Sequence, residues 1–142
     1  EWVEEVFAPA ELDCFLPECD VVVLAVPETS ETRRMIGVRQ LSLMRSTAFL
    51  INIARGRIID EKALVAALQE GRISGAALDV FEIEPLPQDS PLWSMRNVIV
   101  TPHIAGSPAR YVERAFEVFA DNLVRWQSGT ELCHVVDIER GY

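Results

Sequence analysis

Four short apolar runs, each closed by a turn or helix-start residue, constrain this chain more than any other feature of its sequence. They are Val21-Val22-Val23-Leu24-Ala25-Val26, stopped by Pro27; Ala48-Phe49-Leu50-Ile51-Asn52-Ile53-Ala54; Ala76-Ala77-Leu78-Asp79-Val80-Phe81; and Asn97-Val98-Ile99-Val100-Thr101, stopped by Pro102. Runs this short, apolar and rich in β-branched residues read as strands, the first of them buried on both faces. Helical patterns lie between them. In PETSETRRMIGVRQLSLM, Thr29 or Ser30 is a candidate N-cap, and Leu41, Leu43 and Met44 are apolar toward the end. In DEKALVAALQEG, Asp60 is the expected N-cap. Leu64, Ala67 and Leu68 share a face, and Gly71 suits the residue after the helix. A last helix is expected from about Ala109 to Gln127. Its apolar seam is Val112, Phe116, Phe119, Leu123 and Trp126, with Glu113, Glu117, Asp121 and Arg125 on the polar side. The tail after Gly129 carries no regular pattern.

Strand, helix, strand, helix, strand, loop, strand predicts an α/β fold: a partial doubly wound parallel, Rossmann-like sheet with a long C-terminal helix. The 142 residues are 49% hydrophobic, enough for a real core. Thirteen basic residues face 22 acidic ones, a net charge of -9 that argues against nucleic acid and against an anionic membrane surface as partners. No apolar run approaches the roughly 20 residues of a membrane-spanning helix. Cys14, Cys19 and Cys133 are odd in number and match no zinc or redox spacing, so reduced thiols in a cytoplasmic protein without a metal site are expected.

Ligands of open parallel sheets bind at the carboxyl ends of the strands, so the residues that follow each run are the candidates for chemistry. Val26 and Pro27 follow the first, Arg55-Gly56 the second, Asp79 and then Glu84-Pro85 the third, and Pro102-His103 the fourth. An arginine fork holds a carboxylate by two parallel hydrogen bonds. A histidine passes a proton near neutral pH, and a carboxylate beside it favours the imidazolium. That set suits a carbonyl about to become an alcohol, with hydride taken from a nicotinamide. Asp79, inside an apolar run, needs partners if buried. Arg33-Arg34, Glu82 and His134 read as solvated or structural, and Trp93 and Trp126 as packing residues.

The stretch NIARGRIIDEKALVAALQEGRISGAALDVFEIEPLPQDSPLWSMRNVIVTPHIAG resembles the D-isomer-specific 2-hydroxyacid dehydrogenases. The ARG turn, the GAALDVFxxEP block and the TPHIAG block occur in order, and the likeness runs from about Cys19 to the final helix. The resemblance implies that Arg55 binds the substrate carboxylate and that His103 is the acid/base paired with Glu84. It implies a cofactor, NAD or NADP, held by Val26, Pro27, Ile53, Ala54, Arg55, Asp79, His103, Ala105 and Gly106, with Asp79 on the nicotinamide amide. It further implies a small 2-keto or 2-hydroxy acid substrate and a homodimer. Formate dehydrogenases share the fold but carry Gln where Glu84 stands.

There are departures from the family pattern. No G-x-G-x-x-G occurs, and MRSTAF replaces a Lys-Pro-Gly-Ala-like turn. The chain is therefore expected to be the C-terminal half of such an enzyme, cut just before Glu1. Residues 1–108 would be the later part of the NAD(P)-binding domain. Residues 109–142 would be a crossing helix returning toward a substrate domain. Such a piece is expected to be inactive alone, and its first strand and final seam to be left uncovered. The alternatives are an NAD-responsive binding module of the corepressor type and an inactive truncated remnant.

Overall fold

The computed structural model describes residues 3–106 and 109–139; Glu1, where the expected cut falls, lies outside them. All four apolar runs form strands: β1 (Val21–Leu24), β2 (Phe49–Asn52), β3 (Gly75–Leu78) and β4 (Val98–Val100). They pair in that order, all parallel. Leu24, Asn52, Leu78 and Val100 stand in one row, so the four carboxyl ends emerge at one level. Each run extends beyond its strand, and single backbone hydrogen bonds such as Ile53 N–H to Leu24 O at 3.3 Å continue the pairing there.

Burial of the first strand on both faces is corrected by the structure. Val22 and Leu24 are buried, but Val21 and Val23 are 50% and 53% exposed. Phe49 and Ile99 are exposed as well. The cause is topological. Strand order runs in one direction, and right-handed crossovers taken in one direction return on the same face. Helices α2 (Val38–Leu43) and α3 (Glu61–Gln69) therefore share one hydrophobic cluster. Leu41, Leu64, Ala67 and Leu68 pack there with Val22, Leu24, Leu50 and Leu78.

Helix α1 (Leu12–Phe15) is a single turn between two 3-10 turns, too short for periodicity to reveal, and Leu16 after it is fully buried. The helix expected from Thr29 or Ser30 begins only after Gly37. Thr29 caps a local turn instead, its Oγ1 accepting from the N–H groups of Glu31 and Thr32, each at 3.2 Å. The segment is then drawn alongside residues 57–60. Arg34 N–H donates to Arg57 O at 2.8 Å and Ile36 N–H to Ile58 O at 3.2 Å, which no helix could allow. Arg33 and Arg34 are solvated but paired, with Glu28 and Glu82 respectively.

Helix α3 forms as its sequence dictates. Asp60 Oδ1 accepts from Ala63 N–H at 3.1 Å, and Gly71 takes φ +67° to turn the chain out. Trp93 and Trp126 do not pack as expected, being 56% and 71% exposed. Trp93 lies on a 3-10 turn, and its indole N–H is satisfied by Pro87 O at 2.9 Å, so it needs no burial.

The chain divides into two compact units, residues 1–103 and 104–142. The second contains α4 (Tyr111–Gln127), whose seam residues Val112, Phe116, Phe119, Leu123 and Trp126 are all exposed. Asn122 holds the irregular tail on this helix, accepting from Cys133 N–H at 2.8 Å and donating to Cys133 O at 3.0 Å. Among the described residues, no helix is long and apolar enough to cross a membrane.

Loss of the α3 cap gives a direct test of this local account. Asp60→Ala is expected to lower unfolding free energy by about 1 kcal/mol in urea titration, whereas Lys62→Ala on the exposed side stays within about 0.5 kcal/mol.

Candidate active site

The hydrogen-bond ladder of the sheet continues past the ends of the strands. Asp79 N–H donates to Asn52 O at 3.0 Å, and His103 N–H donates to Asp79 O at 2.8 Å. Asn52 at the end of β2, Asp79 just beyond β3 and His103 beyond β4 are thereby joined by backbone alone. His103 takes φ +54°, a conformation that costs free energy for any residue with a Cβ. Its N–H, shared between Asp79 O and Thr101 O, holds it there and turns the imidazole toward the loop after β3.

That loop supplies Glu84. Glu84 Oε2 lies 2.7 Å from His103 Nδ1, and Oε1 accepts from Phe81 N–H at 3.0 Å. Burial pushes the Glu84 carboxyl upward. The hydrogen bonds from His103 and Phe81 and the charges of His103 and Arg55 outweigh it, and the carboxyl is held below its ordinary value. An ionised carboxylate only accepts, so His103 Nδ1 carries the proton in this pair. His103 Nε2 is left as the nitrogen able to exchange a proton with a ligand.

Arg55 leaves β2 through an extended residue, φ -144° and ψ 146°. It lines a cleft of about 200 Å³ together with Gly56, Phe81, Glu84 and His103. Its Nη1 donates only to the neighbouring Ala54 O at 2.6 Å, and among the described residues it forms no ion pair. The other acids at this cleft are engaged, Glu28 by Arg33 and Glu82 by Arg34. A guanidinium without a carboxylate partner, in a cleft whose acids are already paired, is chemically suited to hold a small anion. Gly56 has to be glycine. A Cβ there would stand 1.9 Å from Phe81 C and O, so the Arg55 turn rests directly on the backbone that carries Glu84. On its other side the His103–Glu84 pair borders a mostly apolar cavity of about 660 Å³, walled by Leu86, Trp93, Val100 and Pro102.

The structure thus brings Arg55, Glu84 and His103 to one cleft. Asp79 is buried beside it, 4% exposed, and Thr101 Oγ1 donates to its Oδ1 at 2.5 Å. Val26 and Pro27 follow β1, and Ile53 and Ala54 follow β2. Ala105 and Gly106 belong to the second unit. Asn52 and Thr101 contribute contacts that the sequence reading does not assign. The available signal for both was a polar side chain within an apolar run, where burial demands a partner.

Residues 2–105 match the model of the D-isomer-specific 2-hydroxyacid dehydrogenase, NAD-binding domain. The chain belongs to that family. Within the 2-hydroxyacid dehydrogenases it is 50% identical over 121 residues to glyoxylate/hydroxypyruvate reductase B of Yersinia pestis, covering 84% of this chain and 36% of that protein. It is 48% identical over 118 residues to a glyoxylate reductase of Korarchaeum cryptofilum, again covering 83% and 36%. The chain thus spans about a third of the length of these curated relatives. Its fold matches the NADPH-dependent glyoxylate/hydroxypyruvate reductase of Sinorhizobium meliloti, solved with NADP and sulfate. There the TM-score is 0.90 at 35% identity, over all of this chain and 46% of that one. It also matches a D-isomer-specific 2-hydroxyacid dehydrogenase of Xanthobacter autotrophicus solved with NADPH, with TM-score 0.88 and 43% identity, over 94% of this chain and 54% of that one. NAD or NADP is accordingly the cofactor class of this family domain.

Two outcomes test the geometry. Gly56→Ala is expected to cost about 1–3 kcal/mol of stability by overpacking against backbone that has no room to yield, measured by denaturant unfolding. Glu84 has a folded pKa below its unfolded one, so its contribution to stability is fully present above about pH 4.5 and is lost as pH falls through the folded value. Unfolding free energy measured against pH should therefore fall less steeply below that pH in Glu84→Gln than in the native protein.

Proposed function

We propose that the complete protein containing this chain is an oxidoreductase that interconverts a small 2-keto acid and its D-2-hydroxy acid. The observation that carries this reading is the convergence of an unpaired guanidinium and a carboxylate-held imidazole on one cleft. Arg55 grips the substrate carboxylate through two N–H groups and draws electron density from the adjacent carbonyl. The protonated His103 donates from Nε2 to the keto oxygen as the carbonyl carbon becomes tetrahedral, and takes the proton back in the reverse direction. Glu84 fixes the ring through Nδ1 and stabilises the imidazolium. A reduced nicotinamide, when bound, supplies the hydride.

The residues present fit the nicotinamide end of such a cofactor. Val26 and Ile53 leave exposed apolar side chains past β1 and β2, suited to a ring face. Asp79 places a carboxylate, an acceptor for a carboxamide N–H, past β3. The sequence has no G-x-G-x-x-G to seat a pyrophosphate, so these residues account for one end of the cofactor only. The names of the relatives, glyoxylate and glyoxylate/hydroxypyruvate reductases, support a small keto acid substrate. We further propose residues 1–108 as the C-terminal part of the cofactor domain, residues 109–142 as the crossing and return segment, and a homodimer in the cytoplasm. The exposed Val21, Val23, Phe49 and Ile99 supply apolar surface for association. The three free cysteines agree with a reducing compartment.

The test is turnover of glyoxylate and hydroxypyruvate by the complete protein with NADH or NADPH. Arg55→Ala should raise the keto acid KM about 10–100-fold, the worth of a charge-assisted hydrogen bond. His103→Gln should lower kcat about 10²–10⁴-fold. Native rates in His103→Gln, or no reduction of any 2-keto acid, would remove this reading.

A further inference from the structure

Asn52 is the most deeply buried polar side chain among the described residues, 1% exposed, at the end of a strand that is otherwise apolar. Placing an amide there is costly unless every polar atom is used. Both side-chain atoms are spent on the next three residues. Oδ1 accepts from Ala54 N–H at 3.1 Å, and Nδ2 donates to Arg55 O at 3.0 Å. Its backbone C=O meanwhile accepts from Asp79 N–H at 3.0 Å. A single residue therefore ties the turn that bears Arg55 to the sheet and to the start of the loop that bears Glu84. Gly56 completes the clamp by resting on the Phe81–Glu82 peptide, one peptide past the Phe81 N–H that holds Glu84.

We propose that Asn52 is a positioning residue for Arg55. It touches no substrate; it fixes the direction in which the guanidinium leaves β2 and its height relative to the His103–Glu84 pair. What Arg55 grips rests on the function proposed above, but the clamp itself does not. A residue that merely completed the strand would, on replacement, loosen the whole sheet evenly. A positioning residue loosens the turn and acts on ligands only through Arg55.

The test uses the complete protein with Asn52→Ala and Asn52→Asp, the second keeping an acceptor for Ala54 N–H while losing the donor to Arg55 O. Amide hydrogen exchange across residues 54–58 is expected to quicken about tenfold in Asn52→Ala, the loss of a buried hydrogen bond, while residues 76–78 of β3 keep their native rates. In Asn52→Asp, Ala54 stays protected and Ile58 exchanges faster. An unchanged turn, or an equal rise in both regions, overturns the proposal. The second readout is the glyoxylate KM in a double-mutant cycle with Arg55→Ala. Asn52 replacement should raise KM about tenfold in the native background and less than about twofold once Arg55 is gone. Equal effects in both backgrounds overturn the proposal. If the unsubstituted protein reduces no 2-keto acid, the activity reading falls, and the exchange measurement by itself decides the role of Asn52.

Discussion

The site depends on the parallel register of four short strands. Parallel pairing puts every carboxyl end on the same edge, and the level row Leu24, Asn52, Leu78, Val100 puts them at the same height. Past that row the ladder keeps running through single hydrogen bonds, Asp79 N–H to Asn52 O and His103 N–H to Asp79 O. A slip of one residue in β2 would exchange buried Leu50 and Asn52 with their less buried neighbours and carry Arg55 away from the cleft. The apolar packing of α2 and α3 on one face forbids that slip. Core burial therefore fixes the relative positions of polar groups that never enter the core.

Charge is apportioned as economically as position. Three acids approach the cleft, and each has its own partner: Glu28 with Arg33, Glu82 with Arg34, Glu84 with His103. Only the last pair joins two groups that both line the cleft. The surface pairs are worth little in stability. Their effect is to leave the two arginines that line the cleft, Arg55 and Arg57, without a carboxylate to displace among the described residues. Asp79 is buried, and Thr101 Oγ1 donates to its Oδ1.

Much of the frame was legible in the sequence because its signals are local. Asp60 and Gly71 sit where cap chemistry places them, and the β-branched runs become strands. Arg55, Glu84 and His103 stand out because α/β sheets bind at strand ends and because their motifs resemble a known family. The illegible parts depend on distant partners. Val21 and Val23 look as buried as Val22, and only strand order decides that one face receives both helices. Thr29 has the chemistry of a helix cap, but backbone pairing of Arg34 and Ile36 with residues 57–60 defeats the helix. Asn52 looks like a blemish in an apolar run until its partners across the turn are seen.

The most direct test of the central claim is a crystal structure of the complete protein with a reduced nicotinamide cofactor and oxamate, an unreactive isostere of a 2-keto acid. The account predicts the oxamate carboxylate on the Arg55 guanidinium and its amide carbonyl oxygen within hydrogen-bond distance of His103 Nε2, with Glu84 still on Nδ1. Oxamate bound away from Arg55, or a His103 ring turned from Glu84 toward another partner, would contradict it.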